Sequence, residues 1–250
     1  MYQKERIDTI MNILKENGYV TVKFLTDSLH YSTATINRDL NIMEKQKLVT
    51  RSYGGVELVQ KKSVPLPFRY HKMKVVKNRM GLLAANLVCD GDVIFIDGTT
   101  TTEYMARHLT GKKDITVITN NIAIVGYLSE FSIKVICLGG KVTEAPSMLD
   151  GYETVENAGR YNADKMFFST GAISSDGIIG SGEMYDALHR TMAANSKKVY
   201  YMADHEKIDV RVPINLFTLG DIDGVVTDYI FSDEVKKRYS DTEFFEAKQK

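Results

Sequence analysis

The sequence predicts a small helical unit closed by a hairpin over residues 1–59, joined through residues 60–72 to an α/β domain with a mostly parallel sheet over residues 73–250. Three observations predict it. Apolar residues recur at helical spacing three times in the first fifty residues, and two short β-like runs around paired glycines follow. Beyond Asp90, short apolar runs alternate with helical stretches, the pattern of repeated β-α-β units. Between the two parts, Lys61, Lys62, Pro65 and Pro67 crowd together, and prolines two apart disfavour helix and enforce an extended path.

Composition bounds the answer. At 250 residues the chain can hold one large domain or two smaller ones, and 44% hydrophobic with 26% charged content fits a globular protein. No apolar run is long enough to span a bilayer. The N-terminus, with Glu5 and Asp8, lacks a signal-peptide pattern, so a cytoplasmic chain without membrane attachment is expected. Cys89 and Cys137, in apolar strand-like contexts, are expected to be buried free thiols, with no disulfide, metal site or cofactor. Net charge is zero but unevenly placed: residues 1–79 carry 15 Lys and Arg against 7 Asp and Glu, and residues 80–250 carry 17 against 25. A basic leading part on an acidic body points to a nucleic-acid arm joined to something else.

Lys4–Asn17 reads as a first helix through Ile7, Ile10, Met11 and Leu14, stopped at Asn17-Gly18. Tyr19-Val20 is short and β-like. Thr21 caps a second helix whose apolar side is Phe24, Leu25 and Leu29. His30-Tyr31 turns into a third helix, Ser32–Gln46. Ser32 is its N-cap, Ile36, Leu40 and Met43 form its apolar stripe, and Ala34, Asn37, Arg38, Asn41 and Lys45 lie away from that stripe. Alone, this is indistinguishable from an ordinary amphipathic surface helix. After it, Leu48–Ser52 and Val56–Val59 flank Tyr53-Gly54-Gly55, where glycines can supply the positive φ of a tight hairpin. Helix, helix, turn, helix, hairpin is the winged helix-turn-helix order. It places the third helix in a major groove, with Arg51 and Tyr53 on backbone or minor groove. Arg pairs with guanine edges or phosphates and Asn with adenine. The expected contacts to double-stranded operator DNA are Ser32, Thr33, Thr35, Asn37, Arg38, Asn41, Lys45, Arg51 and Tyr53. A winged helix used only for protein contact is the alternative.

These residues also resemble a known family. The opening Glu5-Arg6-Ile7, the run Thr35-Ile36-Asn37-Arg38-Asp39-Leu40 and the wing Tyr53-Gly54-Gly55 are similar to the DNA-binding domain of the DeoR family of bacterial transcriptional regulators. The family usually has two arginines before the Asp-Leu, where this chain has Asn37 first, and more often His where this chain has Tyr53.

In the second part, Lys72–Leu87 returns to helical spacing, with Lys72, Lys74, Lys77 and Arg79 on a face expected to be solvated. Val93–Ile96, Ile115–Thr119, Ile133–Leu138, Lys165–Ser169, Lys198–Ala203 and Gly224–Thr227 read as strands. Glu103–Leu109, Ile122–Ser129 and Met184–Ser196 read as helices between them, and Asp233–Phe245 as a last helix. In such sheets ligands bind beyond the C-terminal strand ends. There the sequence places Asp97-Gly98-Thr99-Thr100-Thr101-Thr102, with Thr100 and Glu103 spaced as a capping box. It also places there Thr119-Asn120-Asn121, Gly139-Gly140-Lys141, Ser169-Thr170-Gly171 and Asp204 through Lys207. Each alone is an ordinary loop; five together suggest a polar pocket. The first suits a phosphate, although Asp97 and Glu103 would repel one, so Lys207, Arg190 and Lys141 are the expected cations, with His189 a weaker one.

This half is similar to the sugar-phosphate sensor domain of the same family, Rossmann-like and sharing its fold with ribose-5-phosphate isomerase and glucosamine-6-phosphate deaminase. The matching positions are Asp97 through Thr102, Asn120, Gly139, Gly140, Gly171, Glu183, Asp204 and Lys207, and the resemblance implies a phosphorylated sugar bound among them. Two departures stand out. Gly98 comes early and Thr99 takes the usual glycine place, and His189-Arg190 replaces the usual Lys-Arg, which would weaken phosphate affinity or make it pH-dependent. The implied function is a repressor of a carbohydrate-metabolism operon, working as a homodimer or homotetramer, with no catalytic residues. The alternative is a phosphosugar isomerase or deaminase using Asp97, Glu183, His189 and Asp204, which leaves residues 1–59 without a role.

Overall fold

A computed structural model describes residues 3–17, 19–45, 48–52, 54–58, 73–143, 147–182, 186–210 and 212–247. The chain forms two compact units, Met1–Pro65 and Leu66–Lys250.

The first unit runs α1 (Gln3–Asn17), β1 (Tyr19–Thr21), α2 (Val22–Leu29), α3 (Thr33–Lys45), β2 (Val49–Ser52) and β3 (Gly55–Leu58). The strands form an antiparallel sheet in the order β1-β3-β2. Thr21 caps α2, its hydroxyl accepting the Phe24 N–H at 3.1 Å, and His30 ends that helix in the left-handed region at φ 56°. Ile10, Leu14, Leu25, Ile36, Leu40 and Met43 close the core with no exposed surface. Phe24 departs from expectation and stands 45% exposed. It precedes Leu25 by one residue, about 100° around the helix, so only one of the two can face the core. The two wing glycines serve different ends. Gly54 supplies the positive φ, at 76°. Gly55 supplies room, because a Cβ there would sit 2.1 Å from the Tyr19 hydroxyl.

The second unit runs α4 (Lys74–Asn86), β4 (Val93–Ile96), α5 (Thr100–Ala106), β5 (Thr116–Thr119), α6 (Ile122–Leu128), β6 (Lys134–Cys137), β7 (Lys141–Val142), β8 (Leu149–Asp150), α7 (Tyr152–Ala158) and β9 (Ala163–Phe168). It continues with β10 (Ala172–Ile173), β11 (Ile178–Ser181), α8 (Asp186–Ala194), β12 (Ser196–Ala203), β13 (Ile214–Thr218), β14 (Gly224–Thr227), α9 (Asp233–Arg238) and β15 (Glu243–Glu246). Seven strands form one sheet in the order β15-β14-β12-β9-β4-β5-β6, every pair parallel. Side chains alternate between its faces. Val199, Tyr201 and Ala203 of β12 enter one core, and Tyr200 and Met202 the other. Two smaller antiparallel sheets, β10-β11-β13 and β7-β8, attach to it. Among the described residues, no helix is long and apolar enough to cross a membrane.

Four expectations are corrected. The last stretch is a six-residue helix followed by a strand: β15 pairs with β14, Phe244 packs against Phe231 on one face, and Phe245 meets Tyr200 on the other. Adjacent aromatics facing opposite ways fit a strand and not a helix. α5 begins at Thr100, and its cap is Thr99, not Thr100. Lys77 is not on a solvated face but buried in the α4 packing surface with Met80, Gly81 and Ala84. Cys89 and Cys137 are both exposed. Cys89 follows the end of α4, and Cys137 closes β6, an outer strand of the sheet whose flank pairs with no further strand among the described residues.

Candidate functional site

Two surfaces of the chain carry chemistry. In the first unit it is the outward side of α3. Ser32 caps the helix, its Oγ accepting the Thr35 N–H at 3.2 Å and lying 3.0 Å from Thr35 Oγ1, so Ser32 and Thr35 hold the first turn. Thr33, Arg38, Asn41 and Lys45 are exposed, and Asn37 is half-buried. Asn37 and Asn41 are joined by the wing: Arg51 donates from Nη2 to Asn37 Oδ1 at 2.5 Å and from Nη1 to Asn41 Oδ1 at 2.8 Å. Tyr53 lies outside the described residues. One neighbour of Arg38 turns the other way. Asp39 is fully buried and clasped by Arg6 of α1, Nε to Oδ2 at 2.5 Å and Nη2 to Oδ1 at 3.1 Å, while Gln3 donates at 3.1 Å. The Arg6 guanidinium also lies over the Tyr31 ring. The motif residues Arg6 and Asp39 therefore lock α1 to α3, while Arg38 beside them faces outward.

In the second unit the site lies at the strand ends. β4, β5 and β6 run to one side of the sheet and β9, β12, β14 and β15 to the other, so the topological switch point lies between β4 and β9. Asp97 follows β4, and Ser169 follows β9. Both oxygens of the buried Asp97 carboxylate are engaged. Oδ1 accepts the Thr99 N–H at 3.2 Å, the Thr99 hydroxyl at 2.9 Å and the Thr102 hydroxyl at 2.6 Å. Oδ2 accepts the Ser169 N–H at 3.0 Å and lies 3.1 Å from His189 Nε2. Burial pushes the Asp97 pKa up, but His189, the Ser169 N–H and the Thr102 hydroxyl together hold it below the usual carboxylate range. Asp97 thus shapes the loop and does not face a ligand as an uncompensated charge. Thr99, in extended backbone at φ −78°, supplies the cap, which accounts for a Thr where the family usually has Gly. Gly98 supplies closeness: a Cβ there would lie 2.8 Å from Met148 Cγ and 3.1 Å from Asn120 Nδ2.

Two lysines converge on the threonines. Lys207, after β12, donates to Thr101 Oγ1 at 3.1 Å and to Ser169 Oγ at 2.6 Å. Lys77, from α4, donates to Thr100 Oγ1 at 3.2 Å. Asn120, beyond β5, donates to the Leu149 carbonyl at 2.8 Å, and its buried Oδ1 accepts no hydrogen bond among the described residues. Asp204 is buried beyond β12, and its carbonyl accepts the Lys207 N–H. Beyond β6, Gly140 at φ 118° packs against α7, where a Cβ would meet Thr154 Oγ1 at 2.0 Å, and the Gly139 carbonyl accepts the Thr154 hydroxyl.

Among the described residues, Arg190, Lys141 and Gly171 are not hydrogen-bonded into this cluster. Arg190 is exposed, pairs with both Asp186 oxygens at 3.0 and 3.1 Å, and lies over the Phe217 ring. Lys141 is exposed on β7 and Gly171 on a turn. Glu183 lies outside the described residues. Sequence reasoning missed Lys77, named Ser169 only as part of a strand-end loop, and underrated His189. A signal for Lys77 existed: it stands three residues before Met80 and seven before Ala84, inside the buried stripe. His189 stands one residue after Leu188, which is buried, so its burial follows only from where α8 packs.

Comparison with known proteins agrees with this division. Residues 6–62 match the DeoR-like helix-turn-helix domain, and residues 73–229 match the DeoR C terminal sensor domain. The HTH-type transcriptional repressor GlcR of Bacillus subtilis is 34% identical over 91% of this chain and 89% of its own length. The glycerol-3-phosphate regulon repressor of Escherichia coli is 28% identical over 91% and 92%. The lactose phosphotransferase system repressor of Lactococcus lactis is 28% identical over 96% of each. Among solved structures, ribose 5-phosphate isomerase from Plasmodium falciparum is 16% identical over 54% of this chain and 53% of its own, with a TM-score of 0.40. The relatives spanning nearly the whole chain are transcriptional regulators, and two separate family models meet its two units in order: the chain belongs to the DeoR family.

Proposed function

We propose that this protein is a transcriptional repressor of a carbohydrate-metabolism operon, with residues 1–59 reading operator DNA and residues 73–250 binding a phosphorylated sugar that sets DNA affinity. It acts in the cytoplasm as a homodimer or homotetramer, because one winged helix offers few base contacts and a symmetric assembly reads repeated half-sites. The relatives' names as repressors support the first part. The observation that carries the second is the pairing of Lys77 and Lys207 with Thr100 and Thr101 beside the switch point. Two ammonium groups and a row of hydroxyls suit a phosphate. Asn120 Oδ1, a buried acceptor, suits a sugar hydroxyl. We assign Thr99 through Thr102, Asn120, Gly139, Gly140 and Lys207 to this site, together with Lys77.

The isomerase or deaminase reading is weaker on the same geometry. A general base needs a lone pair aimed at the substrate. Asp97 directs both oxygens into its own loop, to Ser169 and to His189.

A thermal-shift series tests the proposal. Sugar phosphates are expected to raise the melting temperature of the whole chain, because a ligand that binds only the folded form stabilises it. The same sugars without phosphate are expected to leave it unchanged, and Lys207→Gln is expected to abolish the shift. Equal shifts with and without phosphate would overturn the assignment.

A further inference from the structure

The contact between the wing and α3 carries more than support for the hairpin. Arg51 belongs to β2, yet its guanidinium lies across two side chains on the outward side of α3, Asn37 and Asn41, one helical turn apart. A guanidinium only donates. The atom each amide turns toward Arg51 must therefore be its oxygen, and each planar amide then points its NH₂ away from the arginine. Three side chains of mixed capacity thus present mainly donors, each amide oxygen keeping one lone pair. Bidentate pairing of Asn with adenine uses its oxygen to accept from N6 and its nitrogen to donate to N7, so an adenine would have to share each oxygen with the guanidinium that already engages one of its two lone pairs. Guanine is the base whose major-groove edge offers two acceptors, N7 and O6, and no donor. Adenine and cytosine each bring an amino group, which would meet donors.

We infer that Arg51, Asn37 and Asn41 form one base-reading unit, with Arg51 the specificity-determining residue and the two asparagines its positioning residues, and that this unit selects guanine. The inference rests on the proposed reading of operator DNA and adds which base is read and by what. It moves Arg51 from backbone or minor groove to the major groove. It also gives Asn37, which stands where the family usually has arginine, a role of its own: it holds an arginine delivered from the wing in place of carrying one.

The test is selection of binding sites from a randomised duplex pool by the full-length chain, in parallel for the original protein, Arg51→Ala and Arg51→Lys. The original protein is expected to select a guanine at a position where both variants accept any base, since lysine keeps the charge but loses the planar fork. In the selected site, replacing that guanine by 7-deazaguanine removes one acceptor. It is expected to weaken the original protein severalfold, toward the lower end of the about 5- to 150-fold range for a whole bidentate contact, and Arg51→Ala by less than about twofold. If Arg51→Ala fails to fold, Arg51→Lys, which keeps the stem and the charge, carries the same comparison. Adenine at the helix-read positions, or a guanine that Arg51→Ala still demands, overturns the inference while leaving DNA reading intact. Failure of the original protein to enrich any sequence overturns both.

Discussion

At the scale of single residues, two buried acids hold structure beside surfaces expected to meet anions. Asp39 sits within α3, the helix proposed to read DNA, yet it faces inward to Arg6. Removing one partner leaves the other buried and uncompensated, so Asp39→Ala is expected to cost the first unit about 3–5 kcal/mol, read by chemical denaturation. Arg38→Ala, one residue away and exposed, is expected to leave stability unchanged and to weaken operator binding by ~1–3 kcal/mol. Equal stability of the two variants would contradict this division of labour. Asp97 gives a pH dependence. Its folded pKa is depressed, so its stabilising contribution is present above the unfolded carboxylate value, near ~4, and is lost as pH falls through the folded value. The stability gap between the original protein and Asp97→Asn should therefore narrow on acidification, as followed by denaturation across that window. A constant gap would mean that Asp97 is not held ionised.

At the scale of elements, α4 bears on the site through one contact. A Cβ on Gly81 would lie 2.7 Å from the Tyr104 carbonyl carbon and 2.8 Å from the Met105 nitrogen, both backbone atoms of α5. Gly81→Ala must push the helices apart, at about 1–3 kcal/mol for overpacking. Because α4 carries Lys77 to Thr100, the same substitution is expected to lower sugar-phosphate affinity, a coupling that paired melting and ligand titrations would reveal. An unchanged melting temperature would contradict the close packing. The elements legible in the sequence are those whose periodicity is long or whose caps are strong: α3 with Ile36, Leu40 and Met43, α2 with Thr21, and six of the seven strands of the parallel sheet. β7, β8 and β10 have two residues each, too few for a period to register. The helix expected over Asp233–Phe245 fails at Phe244-Phe245, whose opposite facing is set by the two cores they join. For the site, the loops are legible as punctuation after strands. The inward turn of Asp97, the burial of Lys77 and the Arg51 bridge are not, because each depends on a partner remote in sequence.

At the scale of the whole molecule, the proposed function makes the chain a device in which one ligand alters affinity for another. Charge fits the two roles, since the 15 Lys and Arg of residues 1–79 suit a polyanionic partner. Linkage then imposes a symmetry: whatever factor the sugar phosphate applies to operator affinity, the operator must apply to sugar-phosphate affinity. The most direct measurement is operator affinity of the full chain at fixed salt, by fluorescence anisotropy, as a panel of sugar phosphates and the matching unphosphorylated sugars is titrated in. At least one sugar phosphate is expected to shift the operator Kd by about fivefold or more, its unphosphorylated counterpart is expected not to, and Lys207→Gln is expected to remove the shift. An operator Kd indifferent to every sugar phosphate, in a chain that still binds its operator, would contradict the proposed function.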